Sequence, residues 1–173
     1  MDFEKMDAAL AAAEEYTKTD EFKHVVKTML MTKLEIERFM PANADDPRYV
    51  IVSGHLLIEK LFEEFVRSNL KRPEMIDGKE INYRQLVAFA QAMQAEDVVM
   101  PWMYKAMKIL ALLRDLYAHN LTPDNGEKQI NKFITLVNQN RTCEKVAIEG
   151  EYEELASAIV NLCLLLSGLL KRS

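Results

Sequence analysis

The chain is predicted to fold as an all-α bundle of about six to seven helices, and three observations carry that expectation. Apolar residues recur at three-and-four spacing through one window after another, the period of a helix with one covered face. Only 5 Gly and 5 Pro occur in 173 residues. Capping residues and prolines fall between the periodic windows, where helices start and stop. Hydrophobic residues make up 49% and charged residues 28%, a balance suited to a helical domain with its own core rather than to disorder or a β-rich fold.

In chain order, Asp2–Tyr16 is rich in Ala and Glu, good helix formers, and stops near Thr17-Lys18-Thr19. Asp20 can cap a second helix that places Phe22, Val25, Val26, Met29, Leu30 and Leu34 on one stripe and ends at Met40-Pro41. Residues 41–45 read as a linker. Asp46-Pro47 is a strong start signal, a capping carboxylate followed by proline at the first helical position. The helix it opens, to about Leu70, carries Val50, Ile51, Gly54, Leu57, Ile58, Leu61, Phe62 and Phe65 inward. Its opposite face holds His55, Glu59, Glu63 and Arg67, each four apart, which reads as a solvated face with intrahelical pairs. The sharper reading places Glu59 beside Arg114, where a carboxylate can orient a guanidinium through two parallel hydrogen bonds.

Lys71–Glu80 contains Pro73 and Asp77-Gly78 and reads as a loop. Asn82 then caps a helix through about Gln94, with Leu86, Val87, Ala90 and Met93 inward. After a connection over 95–100, Pro101 starts another helix with Ala106, Ile109, Leu110, Leu113, Leu116 and Tyr117 on its stripe and Arg114 at the border. It frays after Ala118, where Asn120 suits a left-handed C-terminal cap and Pro123 cannot continue a helix. Thr122–Gly126 is a polar turn. Glu127–Gln139 is an amphipathic helix using Ile130, Phe133, Ile134 and Val137. Glu151 begins the last helix, apolar on nearly every side from Leu155 to Leu170 and therefore central or shared with a partner, with Lys171-Arg172 suiting its C-terminal end.

The net charge of −5 argues against a general nucleic-acid coat protein but leaves room for a local basic cleft. Cys143 and Cys163 are too few for a disulfide framework and lack metal spacing, as do His24, His55 and His119, so neither metal nor cofactor is expected. No secretory leader is expected from the acidic N-terminus, and the Ala158–Leu170 run is interrupted and short for a bilayer span. Cytoplasm is the expected location. No repeat, phosphate-binding Gly-rich loop or nucleophile elbow is present, and the ten Met suit adaptable packing.

Chemistry concentrates in Leu110–Asn120, a helix that ends on Arg114, Asp115 and His119. At about 100° per residue, Arg114 and His119 lie about 140° apart and cannot both address one phosphate from a single helix. Asp115 and His119 are four apart and share a face, so the carboxylate can reach and position the imidazole. Alternative readings are a capping histidine, an edge-of-core arginine with its head in solvent, and a surface aspartate. Lys105 and Lys108, on the same helix, can guide a phosphate backbone. Glu59, Tyr117 and Asn120 are the supporting positions.

The pattern Arg114-Asp115-Leu116-Tyr117-Ala118-His119 near the end of an apolar helix resembles the HEPN superfamily, small all-helical domains whose active members are metal-independent ribonucleases. With Gly54-His55-Leu56-Leu57-Ile58-Glu59-Lys60-Leu61 on a preceding long helix, the layout is also similar to mannitol operon repressor (MtlR-like) proteins. The resemblance covers about residues 45–125, and the helices of 1–40 and 127–171 are expected to pack on that core within one domain of 1–173. It implies an endoribonuclease that leaves 2′,3′-cyclic phosphate ends in a toxin or phage-defence role. His119 would act as general acid or base, Arg114 would hold the phosphate, and Asp115 would position His119. It further implies RNA as substrate and a protein partner or antitoxin. Some HEPN toxins carry a Tyr two residues after the His as a target for modification; Leu121 stands there, so that route of inhibition is not expected.

The alternative is a non-enzymatic MtlR-like regulator or interaction module, and a third reading is a small-ligand bundle that uses Arg114 for a phosphate. No helix-turn-helix with a basic recognition helix is apparent. A homodimer resolves the 140° separation, because two copies about a twofold axis line one cleft with Arg and His from both, as members of the resembled family do. Met107, Ala111 and Leu112, on the arc between Arg114 and His119, suggest a covered second face. Sedimentation at micromolar concentration is therefore expected to give a dimer, and a monomer would remove the basis for a composite site.

Overall fold

Asp46 and Pro47 open the longest helix as their chemistry requires: the Asp46 carboxylate accepts from the Arg48 backbone N–H at 2.9 Å and Pro47 occupies the first turn. The structure is a computed structural model that describes Glu15 and residues 17–40, 43–79, 81–93, 100–120, 123–140 and 148–170. The expected first helix lies almost wholly outside them, as do Cys143, Leu121 and Lys171-Arg172. The described residues are all-helical, in the order α1 (Asp20–Phe39), α2 (Pro47–Asn69), a single-turn 3-10 helix (Pro73–Ile76), α3 (Tyr83–Met93), α4 (Pro101–His119), α5 (Gly126–Asn140) and α6 (Glu153–Leu170).

α6 is central, as its all-round apolar sequence dictates, and packs against α1, α2 and α5. α2 also carries α3 and α4 on its other flanks, and α4 lies against α5. The core runs through Phe62, Ile58, Ile51, Leu110, Leu113, Phe133, Ile159, Leu162 and Leu166, all fully buried. The contact between α2 and α6 closes on Gly54: a methyl group there would run into Cγ2 of Ile159 and lie 3.0 Å from its Cδ1. Glycine leaves the α2 backbone bare at this point, and the β-branched side chain of Ile159 fills the space a side chain would have taken.

Several elements depart from the sequence expectation. Thr19, not Asp20, caps α1, its hydroxyl accepting from the Phe22 N–H at 3.1 Å. The expected apolar stripe of α1 is partly uncovered: Leu30 and Leu34 are 57% and 59% exposed, whereas Ile36 and Met40 are buried. The helix reaches the core chiefly through α6, so its C-terminal end meets the bundle and the outer stripe does not. Asn120 is extended (φ −134°, ψ 132°) rather than left-handed, and its backbone and side-chain amides both donate to the Leu116 carbonyl. The loop after α2 contains the 3-10 turn and is tied back by Arg67, whose guanidinium binds Asp77 at 2.6 Å and Glu63 at 2.9 Å. α6 starts at Glu153 rather than Glu151. At 18 residues and mean hydropathy 1.6 it is, among the described helices, long and apolar enough to cross a membrane, where the sequence suggested too short a run; two thirds of it is buried in the bundle.

The segment entering α2 is pinned to the segment entering α6. Ala44 donates to the Glu149 carbonyl at 2.9 Å, and Tyr152 donates to the Ala44 carbonyl at 2.7 Å. Between them Gly150 has φ +122°, a conformation that L side chains rarely adopt. A methyl group there would also sit 2.6 Å from the Ala44 amide nitrogen. Gly150→Ala is therefore expected to destabilise by about 2 kcal/mol or more, a loss of roughly 5 °C in Tm, measured by thermal denaturation. Gly54→Ala is expected to cost about 1–3 kcal/mol, with partial recovery in a Gly54→Ala, Ile159→Val double variant.

Candidate functional site

The α4 helix displays Arg114 and Asp115 on the surface above the α2 core. The Arg114 head group, half-buried, binds its neighbour Asp115 at 3.0 Å. The two side chains line a cleft of about 630 Å³ with Lys108, Ala111 and Leu112 of the same helix and with Asn82, Tyr83 and Arg84 at the start of α3. That start is set by a reciprocal cap in which the Asn82 side chain accepts from the Gln85 N–H at 3.0 Å and Gln85 accepts from the Asn82 N–H at 2.9 Å. The cap delivers Tyr83 and Arg84 to the cleft. Arg84, Lys108 and Arg114 face one carboxylate there, so an acidic chain carries a locally cationic hollow.

Behind Tyr83 lies His55, expected on a solvated face but 2% exposed. Helix α3 crosses α2 at this point and the Tyr83 ring covers the imidazole, with centroids 4.6 Å apart and planes tilted by 49°. Nε2 of His55 is buried without a hydrogen-bond partner, and Nδ1 is 3.9 Å from the Glu59 carboxylate. Burial first, then the Arg114 charge, push the His55 pKa down to about 4, against a smaller opposing effect of Asp115. His55 is thus neutral at physiological pH, behind the Tyr83 ring that lines the cleft. Burial also raises the Tyr83 phenol, aided by Glu59 and by Cys163. Buried in α6, the Cys163 thiol is itself pushed up to about 12, which keeps it protonated and poorly nucleophilic.

The sequence-derived residues are brought together only in part. Arg114, Asp115 and Lys108 share the cleft. Asp115 pairs with Arg114, not His119, and Glu59 lies against His55 rather than Arg114. His119 is exposed at the last position of α4 and is not among the cleft-lining residues. Lys105 lines a separate groove between α4 and α5 with Lys132. Tyr117 is buried and opens to another cavity near the start of α2, and Asn120 caps the helix. Of the proposed second face, Met107 is buried within the protomer, while Leu112 is 45% exposed at the cleft. No local pattern marks Asn82, Tyr83 and Arg84 as cleft residues, because their place at the cleft depends on where α3 lands after the preceding loop.

Comparison with family models, with curated proteins and with solved structures returns no match. The class defined here is therefore an all-α bundle bearing a cationic cleft beside a histidine-terminated helix.

His55 gives this region a measurable pH dependence. Its folded pKa of about 4 lies below the unfolded value of 6.5, so the unfolded chain binds the proton first as pH falls. The contribution is complete above pH 6.5 and is lost as pH drops toward 4, on the order of 2–3 kcal/mol. Urea denaturation across that window is expected to show this loss in the wild type and a shallower one in His55→Met.

Proposed function

We propose that this protein is a HEPN-like, metal-independent endoribonuclease that works as a homodimer. The observation that carries the reading is the cationic cleft: Arg84, Lys108 and Arg114 around a hollow of about 630 Å³, on a chain whose net charge is −5. A cleft with a net positive charge, three cations against the one carboxylate of Asp115, concentrates an anionic substrate and leaves the rest of the surface repelling nucleic acid. The volume suits a nucleotide unit, and the Tyr83 ring at its edge offers a face on which a base can stack.

The chemistry follows from the residue types. An RNA 2′-hydroxyl attacks the adjacent phosphorus, its proton passes to a base, and the 5′-oxygen leaves with a proton from an acid. His119 is the group suited to these transfers, because an imidazole ring carries both a proton-donating and a proton-accepting nitrogen. Arg114 stabilises the charge gathering on the phosphoryl oxygens, and a phosphate entering the cleft competes with Asp115 for its guanidinium. His119 and Arg114 face different directions on α4, so the reaction needs His119 from one protomer beside Arg114 of the other. Exposed Leu112 at the cleft margin supports a covered face there. The released Asp115 would then be free to position the incoming imidazole.

The uncovered apolar stripe of α1 favours a second reading, a regulator or interaction module of the mannitol-operon-repressor kind that acts by binding a partner protein. Cleavage of a long single-stranded RNA in EDTA separates the two. The nuclease reading expects wild-type product with 2′,3′-cyclic phosphate ends, and a fall of about 100-fold or more in His119→Ala and in Arg114→Ala. Mixing those two inactive variants should restore part of the activity, since one hybrid site regains both groups. An inactive wild type that sediments as a dimer would move the regulator reading ahead.

A further inference from the structure

Helix α4 separates two hollows. On one side lies the cationic cleft, and on the other a groove of about 340 Å³ runs between α4 and α5. Lys105 enters the groove from α4 and Lys132 from α5. No carboxylate is among its lining residues, and neither lysine has an ion-pair partner among the described residues. Asn131, Thr135 and Gln139, four apart on α5, form a row of uncharged hydrogen-bonding side chains along one wall. Ile109, 7% exposed, adds an apolar surface.

Two surface lysines do not make a site by themselves. The distribution of charge along the two helices is an independent observation that points to an anionic ligand. Residues 101–114 of α4 and 128–140 of α5 contain five Lys and Arg and no Asp or Glu, in a chain with 27 acidic residues. At the chain's average density about four carboxylates would stand there. The exposed positions of α5 beyond Glu127 are all Lys, Asn, Thr or Gln. A solvated face on an acidic protein carries carboxylates as readily as lysines, whereas a surface that lies against a polyanion excludes them, because like charges at a contact repel.

The groove is also contiguous with the cleft. Lys108 lines the cleft and Lys105 the groove, three positions apart on α4, so the two side chains are separated by about 60° around the helix and about 4.5 Å along it. A strand that crosses α4 here passes from one hollow to the other over two cations. The crossing lies on the N-terminal side of Leu112, away from the Arg114 and His119 end that the dimer reading sets against a second protomer.

We propose that the groove between α4 and α5 binds single-stranded RNA adjoining the nucleotide held in the cationic cleft. Lys105 and Lys132 each take a phosphate, and the amides of Asn131 and Gln139 hydrogen-bond base edges, which an unpaired strand exposes. The identity of the ligand rests on the nuclease reading, to which the groove adds a substrate long enough to span both hollows.

The test is fluorescence anisotropy of the full chain with 2′-O-methyl RNA, which lacks the attacking hydroxyl and cannot be cleaved, in strands of about four and about twelve nucleotides. The wild type is expected to bind the longer strand about tenfold or more tightly than the shorter. A Lys105→Gln, Lys132→Gln double variant should lose most of that gain, and the slope of log affinity against log salt should become shallower by about 1.4. An Asn131→Ala, Gln139→Ala variant removes no charge and should weaken the longer strand with the salt slope unchanged; it also serves if the lysine variant does not fold. A length gain and salt slope untouched by the lysine substitutions would overturn the proposal, as would polyglutamate of equal charge displacing the strand as well as unlabelled RNA does. The readout needs no cleavage. A groove that behaves as expected in a protein that cuts no RNA retires the nuclease reading alone, and cleavage with a salt slope the lysines do not affect retires the groove alone.

Discussion

Everything in this structure depends on the close approach of α2 to α6 at Gly54 and Ile159. Helix α6 has no polar face to present to water, so it must be surrounded, and α2 is the longest element available to cover it. The missing side chain at position 54 lets the Ile159 side chain seat directly on the α2 backbone. Once α2 is seated, its remaining flanks set the positions of α3 and α4. The candidate site is built on those two helices. A shift in the α2–α6 contact would therefore move Tyr83, Arg84 and Arg114 relative to one another without touching any of them.

The same packing explains the electrostatics. α3 crosses α2 over His55, and the Tyr83 ring removes the imidazole from water. A buried histidine near an arginine is more stable uncharged. That choice leaves Arg114, Lys108 and Arg84 as the charged groups facing the cleft, with Asp115 the sole carboxylate among its lining residues. At the far side, the tie between Ala44 and the Glu149–Tyr152 segment draws the acidic residues flanking α2 and α6 into a single trough. The described residues of an acidic chain thereby carry a cationic cleft and an anionic trough on different parts of one bundle.

Helix α4 contributes to both. Arg114 faces the cationic cleft, Tyr117 faces the acidic cavity, and His119 ends the helix in solvent. Three residues within six positions thus address three environments, which follows from the helical turn of about 100° per residue. The proposed nuclease function therefore requires a second copy of the chain to bring a His119 beside Arg114.

Much of this was legible in the residues themselves. Local rules act over a few positions, so the Asp46-Pro47 start, the Asn82 cap, the Pro101 start and the buried stripes of α2, α4 and α6 could be read from spacing and capping chemistry alone. The apolar character of Leu155–Leu170 sufficed to make α6 central. The sequence could not say which face of a helix its neighbours would cover, because that depends on crossing positions set by distant contacts. For that reason His55, at the spacing of a solvated face, turned out to be buried, while Leu30 and Leu34, at the spacing of a core stripe, stayed exposed. The partners of Asp115 and Glu59 were likewise decided in three dimensions. Local chemistry determined the helices and named the candidate groups, and only tertiary packing decided which of those groups share a cavity.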